Sequence, residues 1–294
     1  ELEFLTEDLR DHAKVAMQVS TFDPEIIVHL AARTEVQDSF YEQITFSEIN
    51  YVGTVNLIEV ASKLPNLKNF VFASTMEVYG WQPISDIIKE GKEEGIIAFN
   101  EATPPNPNAP YAVAKYGCEK YLEYAHRSYG LPFTAIRQTN AYGRKDNDFF
   151  VTEQIITQML KNPKEINLGY GEPYRNFIYI DDLLDAWETV INNPEKCAGE
   201  IFCIGPDNAI KIRDYVKMIA DKLGWDGHVN WNTKPPRPGE IFLLNSTNHK
   251  ITTRLGWVPK VELSEGLDRT IANWKEILEK DLPYNQDRRF SKGK

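Results

Sequence analysis

A tyrosine and a lysine four positions apart, Tyr111 and Lys115, lie in the stretch NAPYAVAKYGCEKY at residues 108–121. Positions i and i+4 of an α-helix are neighbours on one face, so the two side chains point the same way. A free phenol has a pKa of about 10, and an ammonium group near its oxygen favours the phenolate. We therefore expect Lys115 to lower the pKa of Tyr111 and make the phenol an acid–base group. The same spacing also occurs by chance on surface helices, so the pattern alone leaves both interpretations open.

A second group of polar residues follows an apolar segment, in VFASTMEVYG at residues 71–80. The segment reads as a buried strand that runs out into Ser74, Thr75 and Glu77, and ligands of open α/β sheets bind at the carboxyl ends of parallel strands. Residues two apart in an extended chain project to the same side, so we expect the Thr75 hydroxyl and the Glu77 carboxylate to face one pocket. The alternatives are capping of a helix or turn by Ser74 and Thr75, and a solvated carboxylate for Glu77.

Short apolar segments rich in β-forming residues alternate with helical patterns, and these elements must position the polar groups. We predict strands within residues 25–32, 69–75 and 133–140, and helices near 50–63 and 111–129. Buried strands that alternate with helices are typical of a parallel sheet covered on both faces. The predicted fold class is α/β, with a Rossmann-like doubly wound parallel sheet and a smaller α/β substrate-binding lobe.

The alternation loosens after about residue 145. We predict that residues 1–145 form a Rossmann-like domain of the dinucleotide-binding type that lacks its first βα unit. Residues 146–294 are predicted to form mainly the substrate-binding lobe, and some later chain is predicted to return to the first domain. The segment 81–110 is too long for a plain connection, and it is either a candidate lid or substrate loop or a passive surface insertion. The predicted elements of the later half are helices near 151–161, 181–192, 211–223 and 264–279 and strands in EINLG, IFCIG and HVNW.

Composition narrows the class of protein. The chain of 294 residues is 42% hydrophobic and 26% charged, as globular proteins are. Its 43 acidic and 33 basic residues give a net charge of −10, which argues against nucleic acid as a partner. No apolar run reaches the roughly 20 residues that span a membrane, and the acidic start does not resemble a signal peptide, so we expect a soluble, cytoplasmic protein. The cysteines and histidines lack paired spacing, which predicts neither a disulfide framework nor a metal site.

A series of motifs runs through nearly the whole chain. These are HLAA (29–32), NxxGTxNL (50–57), ASTMEVYG (73–80), Tyr111-x-x-x-Lys115, RQTNAYGR (137–144), RNFIYIDDLLDA (175–186), PRPGE (236–240) and LGWVPKVELSEGL (255–267). In this order they resemble the extended short-chain dehydrogenase/reductases that act on nucleotide sugars, the NAD-dependent epimerase/dehydratase family. Their number and order make the resemblance far more specific than the Tyr111–Lys115 spacing.

The resemblance implies an enzyme with NAD as its cofactor. Tyr111 would take the proton from the sugar 4-hydroxyl as hydride leaves C4. Lys115 would lower the pKa of Tyr111 and hold the nicotinamide ribose, and Thr75 would hydrogen-bond the reacting oxygen.

The same resemblance implies two sets of binding residues. The implied cofactor contacts are Asp8 at the adenine, Ala31 and Ala32 near the ribose and pyrophosphate, and also Leu9, Leu30, Asn50, Ser74, Tyr111 and Lys115. The implied contacts to a nucleotide-diphosphate sugar are Thr34, Asn140, Arg175 and Arg237, with the two arginines at the diphosphate. The planar fork of arginine suits that role because it pairs two phosphate oxygens at once.

Glu77 decides which reaction we expect after C4 oxidation. Once C4 is a ketone the C5 proton is acidic, and a carboxylate beside it acts as general base while water leaves from C6. The Ser-Thr-x-Glu pattern resembles the sugar-nucleotide 4,6-dehydratases, and this is the function we predict. Met76 departs from the Asp–Glu pair of some hexose dehydratases, because a thioether cannot protonate a leaving hydroxyl. A UDP-glucose 4-epimerase-like enzyme, a UDP-glucuronate decarboxylase and a non-catalytic homologue remain as alternatives.

The front of the chain also departs from the family pattern. Members begin with a strand, a glycine-rich TGxxGFxG turn and a helix whose N-terminus holds the pyrophosphate. The sequence has no such cluster, and its first strand candidate is LEFL at residues 2–5. We expect either that a βα unit of roughly 30 residues precedes Glu1 in a longer protein or that other residues complete the pocket. The resemblance further implies a homodimer that pairs through helices near 41–62 and 111–129.

Overall fold

Strands and helices alternate along most of the chain in a computed structural model that describes residues 3–83, 96–144, 146–233 and 237–284. The strands are β1 (Ile26–His29), β2 (Asn69–Thr75), β3 (Phe133–Gln138), β4 (Asn140–Tyr142), β5 (Glu165–Asn167), β6 (Tyr174–Arg175), β7 (Phe177–Tyr179), β8 (Glu200–Ile204), β9 (Ile210–Lys211), β10 (His228–Asn230) and β11 (Leu243–Leu244). The α-helices are α1 (His12–Phe22), α2 (Val36–Ser39), α3 (Gln43–Ser47), α4 (Gly53–Ala61), α5 (Pro110–Tyr129), α6 (Val151–Lys161), α7 (Ile180–Ile191), α8 (Pro194–Cys197), α9 (Ile212–Leu223), α10 (His249–Leu255) and α11 (Leu263–Glu279). A π-helical segment (Glu48–Val52) joins α3 to α4, and a 3₁₀ turn (Met76–Tyr79) follows β2.

The largest sheet is parallel and has four strands in the order β1-β2-β3-β8. Strand β8 comes from the later half of the sequence and pairs with β3. The predicted fold class, a Rossmann-like parallel sheet with flanking helices, is confirmed.

Helices cover both faces of this sheet because its strands are apolar on both sides. In β2, Phe70 and Phe72 pack with α1, α4 and α5, whereas Val71 and Ala73 pack with α7 and α10. Successive side chains of a strand point to opposite faces, so a continuous apolar run fills two cores. The covered sheet leaves its strand ends as the place where polar groups collect.

A separate core lies in the later half of the chain. It is built around Tyr142, Phe177, Tyr215 and Trp274, all nearly without exposed surface. Small sheets border it, in which β10 pairs with β5, β4 pairs with β7, and β6 lies between β11 and β9. This core supports the segments that carry Asn140 and Arg175.

The first predicted strand is wrong. The described part of LEFL, residues 3–5, is irregular and exposed rather than extended in a sheet. The candidate lid is only partly described, since residues 84–95 lie outside the described ranges. Within those ranges, no helix combines the length and the apolarity needed to cross a membrane.

Candidate active site

Helix α5 holds Tyr111 and Lys115 beneath the protein surface. Pro110 occupies the first turn, where its missing N–H costs nothing, and Gly130 ends the helix in the left-handed conformation at φ 75°. Tyr111 is 8% exposed and Lys115 is 2% exposed. The two residues are therefore part of the interior face of α5 and are not surface decoration.

Lys115 reaches across to the sheet. Its Nζ donates to the Ala73 carbonyl oxygen at 2.7 Å and lies 4.7 Å from the centre of the Phe72 ring. Burial lowers the pKa of Lys115 to about 8, because an ammonium in a dry site loses its hydration. The lysine is thus anchored to the strand that ends at Thr75.

The pKa of Tyr111 differs in direction from the sequence-based expectation. Burial raises it well above its usual range, and the nearby charge of Glu77 raises it further, while a hydrogen bond with Thr75 lowers it. Desolvation of the phenolate is the largest cause of the shift, and Lys115 is not among the groups that shift this pKa, so the lowering expected from the spacing of Tyr111 and Lys115 is not seen in this structure. Thr75, Glu77 and Tyr111 nevertheless meet in one place.

Thr75 and Glu77 meet Tyr111 through a turn and not through an extended chain, which corrects the second expectation. Strand β2 ends at Thr75, whose Oγ1 accepts a hydrogen bond from the Glu77 N–H at 3.2 Å and so caps the 3₁₀ turn. Gly80 closes the turn at φ 52°, and a Cβ there would lie 1.8 Å from the Asn106 carbonyl oxygen. Only glycine fits this position, so the turn that carries Glu77 is fixed by the close crossing of two segments.

Two arginines lie near the Glu77 carboxylate. Arg237 Nη1 is 3.7 Å from Glu77 Oε1, and Glu77 Oε2 is buried without a hydrogen-bond partner among the described residues. Arg175 donates to Glu240 Oε1 at 3.1 Å and to the Tyr174 carbonyl oxygen at 2.9 Å. The structure thus brings together the predicted residues Glu77, Arg175 and Arg237.

The charges of these residues act on one another. Burial lowers the pKa of Arg175, while the carboxylates of Glu240 and Glu77 raise it and the charge of Arg237 lowers it. The group therefore holds two cations and two anions in partly desolvated surroundings. Guanidinium groups of this kind match the oxygens of a phosphate.

The predicted cofactor residues lie around the carboxyl end of β1. Leu30 is 59% exposed, Ala31 is exposed and Ala32 is half-buried. Asn50 is fully buried, and its side-chain amide donates to the Arg33 carbonyl and accepts from the Arg33 N–H, both at 2.8 Å. Asn50 therefore fixes the course of the chain just after these residues.

The remaining predicted residues near this edge are Asp8 and Thr34, which are exposed, and Leu9, which is half-buried. Asp8 is exposed and pairs with Arg10 at 2.6 Å, and the hydrogen bond from Arg10 lowers the pKa of Asp8 to about 2. Leu9 packs against Gly53, and its carbonyl oxygen accepts from Asn56 at 3.0 Å. Thr34 is exposed, and its N–H donates to Glu35 at 3.1 Å.

Two predicted residues are engaged elsewhere. The Ser74 hydroxyl donates to the buried Glu119 carboxylate. Asn140 donates to the Asn176 carbonyl oxygen at 3.3 Å. These contacts do not link either side chain to the group around Tyr111.

A buried polar network beneath the site was missed by the sequence analysis. Arg137 pairs with Glu119 through Nε at 3.0 Å and Nη2 at 2.7 Å, and its Nη1 donates to the Tyr79 hydroxyl at 2.9 Å. Glu119 and Arg137 have side chains 0% and 3% exposed. Glu119 lies four residues, about one helical turn, after Lys115 and so shares the face of α5 that carries Tyr111 and Lys115. This spacing could have identified Glu119 as a buried polar residue from the sequence. The network ties α5, β3 and the turn that carries Glu77 to one another.

Comparison with known proteins identifies the family. A family model described as GDP-mannose 4,6 dehydratase matches residues 1–270. The chain belongs to this family. The GDP-mannose 4,6-dehydratase family is one of NAD-dependent extended short-chain dehydrogenase/reductases, so the resemblance found in the sequence is confirmed.

Relatives of the family with different activities are similar to this chain. A putative UDP-glucose 4-epimerase of Methanocaldococcus jannaschii is 29% identical over 92% of this chain and 83% of that protein. The structure of a UDP-glucose 4-epimerase from Thermotoga maritima with UDP-glucose has a TM-score of 0.82 at 30% identity, over 94% of this chain and 85% of that one. The dTDP-glucose 4,6-dehydratase DesIV from Streptomyces venezuelae, with NAD bound, has a TM-score of 0.80 at 28% identity, over 94% and 80% of the two chains.

Proposed function

We propose that this protein is an NAD-dependent nucleotide-sugar 4,6-dehydratase, which oxidises C4 of a nucleotide hexose and then eliminates water between C5 and C6. The observation that carries the proposal is the Glu77 carboxylate, which lies close to Tyr111 and has one buried oxygen without a hydrogen-bond partner among the residues that the structure describes. A carboxylate with that freedom next to the acid–base phenol suits the removal of a second proton from the same sugar.

The first step uses Tyr111 and its neighbours. Tyr111 takes the proton of the 4-hydroxyl, and Thr75, which already hydrogen-bonds the phenol, holds the reacting oxygen. Lys115 lies one helical turn further along the same buried face. Its ammonium stabilises the negative charge that the phenol carries as phenolate when the site is occupied.

The second step uses Glu77. Its carboxylate removes the C5 proton, and water leaves from C6. Met76 is 2% exposed in an apolar cluster with Tyr79 and Phe99, and a thioether supplies no proton. Among the described side chains of the turn, Glu77 is therefore the acid as well as the base, returning the proton it took to the departing oxygen.

The residues at the end of β1 fit a dinucleotide. Leu30 and Ala31 are exposed there, and Lys115 offers a buried ammonium to the ribose side. When bound, NAD supplies the hydride chemistry at C4 and C6. Asp8, Leu9 and Ala32 extend the proposed contacts toward the adenine and pyrophosphate, and Asn50 keeps this segment in place.

Arg175 and Arg237 are the residues that we assign to the diphosphate of the substrate. They are close to Glu77, as a sugar between the diphosphate and the catalytic residues requires. Thr34 and Asn140 are further proposed substrate contacts. The protein's net charge of −10 makes such a local concentration of arginine necessary for a dianionic ligand.

We further propose that the protein is a homodimer in the cytoplasm. Helices α3 and α5 and the segment between α3 and α4 pack together and expose Ile44 (75%), Val52 (45%) and Val113 (55%). Exposed apolar residues on adjoining helices support pairing through this face. Light scattering of the parent and of Ile44→Glu tests the dimer, and cell fractionation tests the location.

The experiment that tests the function is incubation of the full-length protein with nucleotide hexoses of different bases. A 4,6-dehydratase yields a product lighter by one water, with the near-ultraviolet absorbance of a 4-keto-6-deoxy sugar in alkali. Conversion between 4-epimers without loss of mass would instead establish the alternative, a nucleotide-sugar 4-epimerase. Met76 favours that alternative, because an epimerase needs no acid for a leaving hydroxyl.

A further inference from the structure

Two arginine–glutamate pairs lie side by side in the candidate site, and they differ in how firmly they are held. The Arg175–Glu240 pair has a hydrogen bond of 3.1 Å, with side chains 11% and 17% exposed. The Arg237–Glu77 pair has a separation of 3.7 Å, and the Arg237 side chain is 33% exposed. The Glu77 side chain is 12% exposed, but its contact with Arg237 is longer than a hydrogen bond, and the attraction within an ion pair weakens with distance. Arg237 is therefore the less firmly held of the two arginines.

The charges in the site are balanced before any anion enters. The two guanidinium groups face the two carboxylates, and the charges of Glu240, Glu77 and Arg237 all shift the pKa of Arg175. A diphosphate adds at least two negative charges to this group. Coulomb repulsion from Glu77 and Glu240 then opposes binding unless an arginine turns from its carboxylate to the phosphate oxygens.

We propose that the substrate diphosphate takes Arg237 away from Glu77, so that binding of the nucleotide uncovers the general base. Arg175 stays with Glu240 and with the Tyr174 carbonyl oxygen, and provides the fixed side of the diphosphate site. The role of Glu77 as base rests on the proposed function. The exchange itself rests only on the positions and charges of these residues.

The exchange couples binding to chemistry. With Arg237 on the diphosphate, Glu77 has lost its nearest cation, and its Oε2 has no hydrogen bond among the described residues. The Glu77 carboxylate is thus uncovered when a nucleotide sugar is in place and remains paired with Arg237 when it is not.

The test is a titration with inorganic pyrophosphate, followed by ³¹P NMR, which needs no knowledge of the base or the sugar. Glu77→Gln releases Arg237 from its pair, so we expect the dissociation constant to fall at least about fivefold, the low end of coupling between two sites. Glu35→Gln is the matched control. The Glu35 carboxylate raises the pKa of Tyr111 and lies near Arg33. Its replacement therefore removes one negative charge but leaves the Arg237–Glu77 pair intact.

If the exchange occurs, most of the gain in pyrophosphate affinity caused by Glu77→Gln requires Arg237. In an Arg237→Met background only the direct repulsion between Glu77 and pyrophosphate is left to remove, so we expect Glu77→Gln to lower the dissociation constant clearly less than it does in the parent background. An equal fold-change in the two backgrounds would overturn the exchange. Equal effects of Glu77→Gln and Glu35→Gln in the parent background, or no pyrophosphate binding by any variant, would overturn the exchange.

These outcomes are separate from the fate of the proposed function. If Glu77→Gln tightens pyrophosphate binding but no nucleotide hexose is converted, the exchange stands and the dehydratase proposal fails. If product forms while Glu77→Gln binds pyrophosphate as the parent does, the dehydratase proposal stands and the exchange is refuted.

Discussion

Glu77 lies close enough to Tyr111 for its carboxylate to raise the pKa of the phenol, in addition to the larger rise caused by burial. The Glu77 carboxylate, proposed to take the C5 proton, therefore opposes ionisation of Tyr111, which is proposed to take the proton of the 4-hydroxyl. The two groups are held together by the turn that Thr75 caps. Their coupling makes the order of the proton transfers accessible to measurement.

Replacement of Glu77 is expected to shift the pH dependence of C4 oxidation. Glu77→Gln removes an anion next to the phenol, so the pKa of Tyr111 falls and the phenolate forms at lower pH. The rate of cofactor reduction in a single turnover should therefore rise at lower pH than in the parent. Glu35→Gln should give a smaller shift in the same direction, since Glu35 makes a lesser contribution to the pKa of Tyr111. A shift to higher pH would contradict the coupling.

The same Glu77→Gln variant is expected to stop the reaction after oxidation. An amide cannot take the C5 proton, so dehydration should slow by about 10² to 10⁴, the usual contribution of a general base. Reduced cofactor should accumulate, which absorbance records directly, while the product lighter by one water should be missing from mass spectra. Full dehydration by this variant would show that another group is the base.

Tyr111→Phe is expected to remove turnover without unfolding the protein. The ring is 8% exposed and keeps its packing, while the loss of the hydroxyl removes the acid–base group. We expect kcat to fall by about 10² to 10⁴ and the thermal midpoint to change little. Tyr116→Phe, on the same helix, is the matched control and should keep the parent's kcat. Comparable losses in both variants would mean that the phenols act through packing alone.

Lys115→Met is expected to inactivate the enzyme and stabilise the fold at neutral pH. Burial depresses the pKa of Lys115 to about 8, so a charged lysine opposes folding below that pH. The lowering of the Lys115 pKa from its usual 10.5 to about 8 corresponds to about 3 kcal/mol in the free energy of unfolding. Because the folded pKa is the lower one, this penalty shrinks as the pH rises from about 8 to about 10.5. Urea unfolding should therefore favour the variant at pH 7 and less so at pH 10.

The control for that experiment is Lys120→Met, on the same helix. The Lys120 side chain is 50% exposed and pairs with Glu123 at 2.9 Å. Its replacement should leave the free energy of unfolding nearly unchanged at both pH values. An equal gain from the two substitutions would indicate that the gain comes from helix propensity and not from the buried charge.

Replacing only one member of the Glu119–Arg137 pair is expected to destabilise the fold more than replacing both members. Arg137→Met leaves the Glu119 carboxylate buried beside Ser74 without its cation, which should cost about 3 to 5 kcal/mol in the free energy of unfolding. The double variant Glu119→Gln with Arg137→Met should lose clearly less than the sum of the single losses, because neither charge of the pair is left buried without its partner. Denaturant unfolding of the four proteins gives the coupling, and simple additivity would argue against it.

The sequence by itself determined the local features of this protein. Apolar runs and helical periodicity located β2, β3 and α5 closely, because both patterns repeat within a few residues. The shared face of Tyr111 and Lys115 followed from a spacing within one helical turn. Motif order was enough to identify the family, although it left the choice between dehydratase and epimerase to the chemistry of Glu77 and Met76.

Only the tertiary structure decided how these groups act on one another. The rise in the pKa of Tyr111 depends on every segment that excludes water from the phenol, and a spacing of four residues carries no information about that. The pairing of Arg175 with Glu240 joins residues 65 positions apart, and Ser74 meets Glu119 across 45. Electrostatic and hydrogen-bond energies depend on distance in space and on burial, so these partners were set when the sheet, the helices and the loops packed together.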